Sequence, residues 1–238
     1  MEKLLEDKIA LVTGSSRGIG AAVAKKYAEE GAHIILVART IEDLEKVDDE
    51  INELGGSATI VPADLSNPDI VDQIAINVAE RFGKLDILVG NAAILGGLRP
   101  MTSITNKIWD NLFAINVTAN HRLIRAFDPL LQKSKAGRLV FVTSGVTNEP
   151  FRQYWGGYAT TKIALECIVK TYATELTNSN VKANLVSPGM VNTDMLAEAF
   201  PGSDLSVHAS AEDITDLFVK LASETFTENG QIYRAQEC

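Results

Sequence analysis

Short apolar runs alternate along the chain with longer stretches in which apolar residues recur every three or four positions. The runs at 8–13 (KIALVT), 33–38 (HIILVA), 58–63 (ATIVPA), 86–90 (DILVG), 138–143 (RLVFVT) and 181–187 (VKANLVS), with a weaker one at 230–234, predict seven strands. The stretches near 18–30, 41–54, 68–82, 104–133, 156–178 and 211–223 predict helices, several opened by residues that cap or charge an N-terminus. Strand and helix in regular alternation read as repeated βαβ units, and hence as a doubly wound α/β fold: a seven-stranded, mainly parallel sheet with helices on both faces. No repeat and no break interrupts the pattern, so residues 1–238 are expected to form a single domain, a size such a fold can reach.

Composition narrows the functional classes. With 46% hydrophobic and 22% charged residues, the chain has the aliphatic material for a large core, which excludes disordered, collagenous and coiled-coil classes. The formal charge of -9 makes the surface repel phosphate backbones and anionic lipid, and no basic cluster interrupts it, so neither nucleic acid nor membrane is an expected partner. The segment Met1–Lys8 is charged where a signal peptide needs an apolar stretch, and no long apolar run follows. A cytoplasmic location is the expectation. Cys167 and Cys238 suggest neither a disulfide framework nor a metal site. His33, His121 and His208 are scattered over different elements, which supports neither a metal centre nor a Ser-His-Asp triad.

The chemistry begins at the first strand, which runs into Gly14-Ser15-Ser16-Arg17-Gly18-Ile19-Gly20 before the helical pattern opens at Ala21. Glycines there permit a tight turn and close approach of a diphosphate to backbone N–H groups, with the positive end of a helix dipole behind them. The spacing is G-x-x-x-G-x-G, whereas the commonest dinucleotide fingerprint is G-x-G-x-x-G. Farther along, Tyr158 and Lys162 stand four apart on one face of a helical pattern, and Ser144 ends the strand 138–143.

Taken together, T-G-x-x-x-G-I-G, Y-x-x-x-K and the serine upstream resemble the short-chain dehydrogenase/reductase family, and the marks run in order across almost the whole chain. The resemblance implies an oxidoreductase that moves a hydride between a nicotinamide cofactor and a carbonyl or secondary alcohol, with Tyr158 as general acid/base. Lys162 and a positive nicotinamide would pull the phenol's pKa down from about 10. Ser144 would hold the substrate oxygen. Asn116, the fourth catalytic member by resemblance, would hold a water joining Lys162 to solvent; a polar residue kinking a helix is a compatible reading. Cofactor contacts are implied for Gly14, Ser16, Arg17, Gly18, Ile19 and Gly20, for Asn91, Ala92 and Ala93, for Tyr158 and Lys162, and for Pro188, Gly189, Val191 and Thr193 of a P-G-x-x-x-T loop. Asp64 and Leu65 would face the adenine, with Asp64 as an N-cap the competing reading. Met195, Leu196, Phe200 and 202–210 read as a substrate lid or, equally, as a surface helix and loop.

This sequence also departs from the family pattern. Gly90 and Ala93 flank Asn91-Ala92 where the family has N-N-A-G, one residue is inserted within 145–157, and Tyr233–Cys238 replaces a glycine-rich close. At the end of the second strand, where an NAD enzyme places an acid, stands Ala38, followed by Arg39; with Arg17 it can grip a 2′-phosphate, so NADP(H) is favoured over NAD(H). Leu95, Val146, Phe151, Gln153, Tyr154, Trp155, Met190 and Met195 would line an apolar pocket for a small-molecule carbonyl or alcohol. A 3-oxoacyl thioester reductase is one option by resemblance, and a homotetramer or homodimer built on the helices within 104–133 and 156–178 is implied. The rival from another class is a nucleotide-binding protein that keeps the fold without turnover.

Overall fold

The computed structural model describes residues 3–236; Met1, Glu2, Glu237 and Cys238 lie outside the described residues. Seven strands, β1 (Ile9–Thr13), β2 (His33–Ala38), β3 (Ser57–Pro62), β4 (Ile87–Gly90), β5 (Arg138–Val142), β6 (Lys182–Ser187) and β7 (Ile232–Arg234), form one sheet in the order β3-β2-β1-β4-β5-β6-β7. Every neighbouring pair is parallel. The helices are α1 (Gly18–Glu29), α2 (Ile41–Glu53), α3 (Ile70–Phe82), α4 (Asn106–Phe113), α5 (Ala119–Leu131), α6 (Gly156–Glu175), α7 (Asp194–Ala199) and α8 (Thr215–Ala222). Among the described residues, none is long and apolar enough to cross a membrane.

The strands are continuous apolar runs because both faces are covered. Ala10 and Val12, Ile34 and Leu36, and Val140 and Val142 pack on the side of α1, α2 and α8. Their chain neighbours Leu11, Ile35, Val37, Leu139 and Phe141 pack with α3, α5 and α6 on the other. An all-parallel sheet of this kind has no solvated face on which polar residues could alternate.

The structure differs from the sequence expectation at two places. The helix expected over 104–133 is α4 and α5 joined by a wider π-helical turn at Ala114–Thr118. Asn116, buried in that turn, donates through Nδ2 to Ile94 O at 2.9 Å and to Thr161 Oγ1 at 3.0 Å, while its Oδ1 accepts from Ile94 N at 2.9 Å. These bonds engage an amide that a regular helix would leave buried with fewer partners. The helix expected from 68 begins at Ile70, and Asp64 does not cap it; its Oδ1 accepts from Ser66 N at 2.9 Å, closing a local turn. Of the two readings around Met195 and Leu196, the surface helix is present over Asp194–Ala199, with Thr193 Oγ1 accepting from Leu196 N at its start.

One connection runs against the usual hand. The β5–α6–β6 and β6–α8–β7 connections step toward the same sheet edge, yet α6 packs on one face and α8 on the other, beside α1. Parallel crossovers are right-handed in about 98% of cases, so the second is left-handed. The chain leaving β6 therefore passes over the carboxyl edge of the sheet before reaching α8. That path brings Val191 and Asn192 against Ala209, and Thr193 against Gly18.

Gly90, where the family carries Asn, is explained by packing: a Cβ there would fall inside the Phe141 ring and close to Asn120 Oδ1. Gly90→Ala should cost about 1–3 kcal/mol by overpacking, lowering the thermal midpoint, and adding Phe141→Leu should recover part of the loss. Unchanged melting of Gly90→Ala would show that the ring is free to move aside.

Candidate active site

The turn after β1 is built by a side chain that the sequence reading passed over. Thr13 Oγ1 donates to Val89 O at 3.1 Å and accepts from Asn91 N at 3.0 Å and Ala92 N at 3.1 Å. Asn91 answers through Nδ2, which donates to Thr13 O at 3.0 Å and Gly14 O at 3.1 Å. The ends of β1 and β4 are thereby locked together, and the space left is too small for side chains. A Cβ on Gly20 would clash with Gly14 O and the Asn91 amide, so the first turn of α1 sits directly against the strand end.

No side chain caps α1 at Arg17, which leaves first-turn N–H groups for an anion. Ser15 Oγ, fully buried in the same turn, has no hydrogen-bond partner among the described residues. A glycine cradle, an uncapped helix start and an orphaned hydroxyl fit a dinucleotide diphosphate.

The arginines are less free than expected. Arg17 Nη1 lies 3.4 Å from Asp194 Oδ2, with both side chains mostly exposed, a pairing worth little in water. Arg39 is exposed at the end of β2 and close enough to Asp64 to help hold that carboxyl below its ordinary range, after the two hydrogen bonds from Ser66. Ala38 leaves no acid on β2 itself, but Asp64 and Asp194 bring carboxylates from other elements.

At the carboxyl end of β5 the structure gathers Ser144, Tyr158 and Lys162. Lys162 is buried, its Nζ donating to Val142 O at 2.8 Å and lying 5.6 Å from the centroid of the Tyr158 ring. Burial pulls its pKa down to about 8, opposed by the Glu166 carboxylate. Burial pushes the Tyr158 phenol up, and the hydrogen bond with Ser144 opposes it. The phenol is thus not depressed in this geometry, because removal from water outweighs the hydrogen bond with Ser144.

Asn116 joins the group through Thr161, whose Oγ1 donates to Tyr158 O at 2.7 Å. Its amide faces Ile94 and Thr161, not Lys162, and its own carbonyl accepts from Asn120 Nδ2 at 2.9 Å.

Leu95, Val146, Trp155 and Met195 pack around Tyr158, as expected of a pocket wall, and Met195 Sδ lies 3.9 Å from the phenol oxygen. Trp155 sits between Tyr158, which it meets edge to face, and Phe200, to which it is tilted, at centroid distances of 6.2 and 5.9 Å. Helix α7 therefore covers the phenol. Phe151 and Tyr154 are 60% and 57% exposed, and Gln153 and Met190 are exposed too, so these four form a rim and not a wall.

The loop 188–193 is tied down by Gln236, whose Nε2 donates to Pro188 O and Met190 O, both at 2.9 Å. Gly189 lies between these acceptors and Val191 is buried, while Thr193 caps α7. Ser16, Gly18 and Ile19 lie half-buried in the glycine turn, Ala92 and Ala93 half-buried after β4, and Leu65 is buried behind Asp64. Nothing local marks Gln236; the T-G pair could have flagged Thr13.

A family model for short chain dehydrogenases matches residues 8–204. The uncharacterized oxidoreductase YciK of Escherichia coli K12 is 35% identical over 239 residues, covering 99% of this chain and 94% of that protein. A short chain dehydrogenase from Shigella flexneri 2a, solved in complex with NADP, superposes with a TM-score of 0.94 at 35% identity, covering 99% of this chain and 100% of its own. Another from Escherichia coli CFT073, solved with NADPH, superposes with a TM-score of 0.93 at 35% identity, covering 99% of each chain.

The buried lysine has a consequence for stability. Its folded pKa, about 8, lies below the ordinary 10.5, so the cation is penalised in the folded state. That cost is fully present below pH 8 and is lost as pH rises to 10.5. Between pH 7 and pH 10, urea unfolding of Lys162→Met and the unmutated chain should shift in favour of the unmutated chain, by on the order of 2 kcal/mol. A difference that does not vary with pH would mean that folding leaves the Lys162 pKa at its ordinary value.

Proposed function

The chain belongs to the short-chain dehydrogenase/reductase family, and on that premise we propose that this oxidoreductase uses NADP(H) to interconvert a carbonyl and a secondary alcohol, residues 1–238 acting as one nucleotide-binding domain. The observation that carries the reading is the convergence of Ser144, Tyr158 and Lys162 at the carboxyl end of β5, on the sheet edge that also bears the glycine turn. In open parallel sheets this edge is where ligands bind. Support for the cofactor comes from the relatives solved with NADP and NADPH, from Arg17 and Arg39, and from the absence of an acid at Ala38.

When bound, the dinucleotide supplies or accepts the hydride. The chain's own task is to hold the substrate oxygen and move one proton. Ser144 Oγ donates to the oxygen and orients it. Tyr158, kept protonated at neutral pH by burial, gives its proton to that oxygen during reduction and takes it back during oxidation. Lys162 favours the phenolate left behind, since a nearby cation stabilises the charged form. Leu95, Val146, Trp155 and Met195 exclude water and accept an apolar portion of the substrate.

Two measurements test this. NADPH should bind more tightly than NADH by about 1.5 kcal/mol, the low end for a charge-assisted contact, because Asp64 and Asp194 offset the arginines. Arg39→Asp should reverse the order in fluorescence titrations, and equal affinities in the unmutated chain would remove the NADP assignment. With a carbonyl panel followed at 340 nm, Tyr158→Phe should abolish turnover while NADPH still binds, and Ser144→Ala should lose on the order of 10²-fold in rate. Loss of cofactor binding in Tyr158→Phe would make the phenol structural.

A further inference from the structure

Two side chains of α6, one helical turn apart, hold the end of β5. Lys162 Nζ donates to Val142 O at 2.8 Å, and Glu166 Oε1 accepts from Thr143 Oγ1 at 2.6 Å. Val142 and Thr143 are the two residues that lead into Ser144. Thr143 is buried and anchored through its own N–H, which donates to Val186 O on β6 at 2.8 Å. Its hydroxyl therefore offers the Glu166 carboxylate a fixed mooring.

The i, i+4 spacing puts that carboxylate on the Lys162 side of α6. The other groups around Lys162 are Tyr158 on the same helix, itself hydrogen-bonded to Ser144, and the Val142 carbonyl and Thr143 hydroxyl at the end of β5, while neutral Asn116 faces Ile94 and Thr161. None of these carries a negative charge while the phenol is protonated. A buried ammonium that donates to a single carbonyl is costly to keep charged, and a moored carboxylate offsets part of that cost.

We propose that Glu166 is a positioning residue for the reaction: moored by Thr143, it supplies the negative charge that keeps the Lys162 ammonium protonated beside Tyr158. The proposal rests on the roles given above to Lys162 and Tyr158, and the test separates the two. In the cofactor-free protein, the Lys162 side chain can be followed by the 13Cε shift of labelled lysine, assigned by its loss in Lys162→Met. Its midpoint, expected near 8, should fall by about half a unit to one unit in Glu166→Gln, which keeps an oxygen for the Thr143 hydroxyl but removes the charge. Thr143→Val, which keeps the charge but frees the carboxylate, should lower the midpoint by a smaller amount and serves if Glu166→Gln does not fold. In turnover, the alkaline limb of carbonyl reduction should move to lower pH in Glu166→Gln, with kcat at neutral pH falling and the KM for NADPH unchanged. A Lys162 midpoint unmoved in Glu166→Gln, or unmoved in Thr143→Val if only that variant folds, overturns the proposal. A midpoint that falls in a chain that reduces no carbonyl supports the charge assignment and makes the proposed reaction the part that fails.

Discussion

A parallel sheet buried on both faces has room for polar chemistry only at its ends, and this constraint orders the whole molecule. Successive residues of β1, β2 and β5 are apolar toward opposite layers of helices, so no strand interior offers a site for substrate or cofactor. The candidate residues accordingly lie just beyond strand ends: the glycine turn after β1, Arg39 after β2, Asp64 after β3, Asn91 after β4, Ser144 after β5 and Pro188 after β6. Because every pair is parallel, all of those ends share one edge. The left-handed passage from β6 to β7 then draws loop 188–193 and α7 across the same edge, which is how Met195 comes to lie on Tyr158.

At that edge, electrostatics is governed by burial. Lys162 and Tyr158 are both removed from water, and each is pushed toward its neutral form, the amine down and the phenol up. In the proposed reaction, proton transfer between phenol and substrate needs the opposite tendency, so the site would depend on charges placed close by. The Glu166 carboxylate, held through Thr143 one turn along α6 from Lys162, is the charge we propose for this. The arginines illustrate the exposed counterpart: Arg17 beside Asp194 and Arg39 near Asp64 are solvated, where such charges interact weakly.

Two of the departures from the family's usual motifs, Gly90 and the tail, have local packing explanations. Phe141 occupies the space that a side chain at position 90 would need. Gln236 ties the loop after β6 through two carbonyls, a task for a primary amide with two N–H bonds to give, in a tail that lacks the usual glycines. We find no packing reason for the extra residue between Ser144 and Tyr158; the segment forms the exposed rim with Phe151 and Tyr154.

The order of strands and helices, the glycine turn and the Tyr158–Lys162 pair were legible from the sequence because each depends on residues near one another in the chain: apolar periodicity, a turn that needs glycine, and one turn of helix. The grouping of Ser144 with that pair was legible only because strand ends of a parallel sheet share an edge. Other features required the folded molecule. Asn116 widening its helix to reach Ile94, Asp64 closing its own turn instead of capping α3, Phe141 filling the space at Gly90, and Gln236 reaching back to Pro188 are contacts that strand order and packing create, and apolar periodicity does not encode them. The direction of the Tyr158 shift belongs with these. A phenol's acidity depends on how much water and which charges surround it, and both are set by segments distant in the chain that tertiary packing alone brings together.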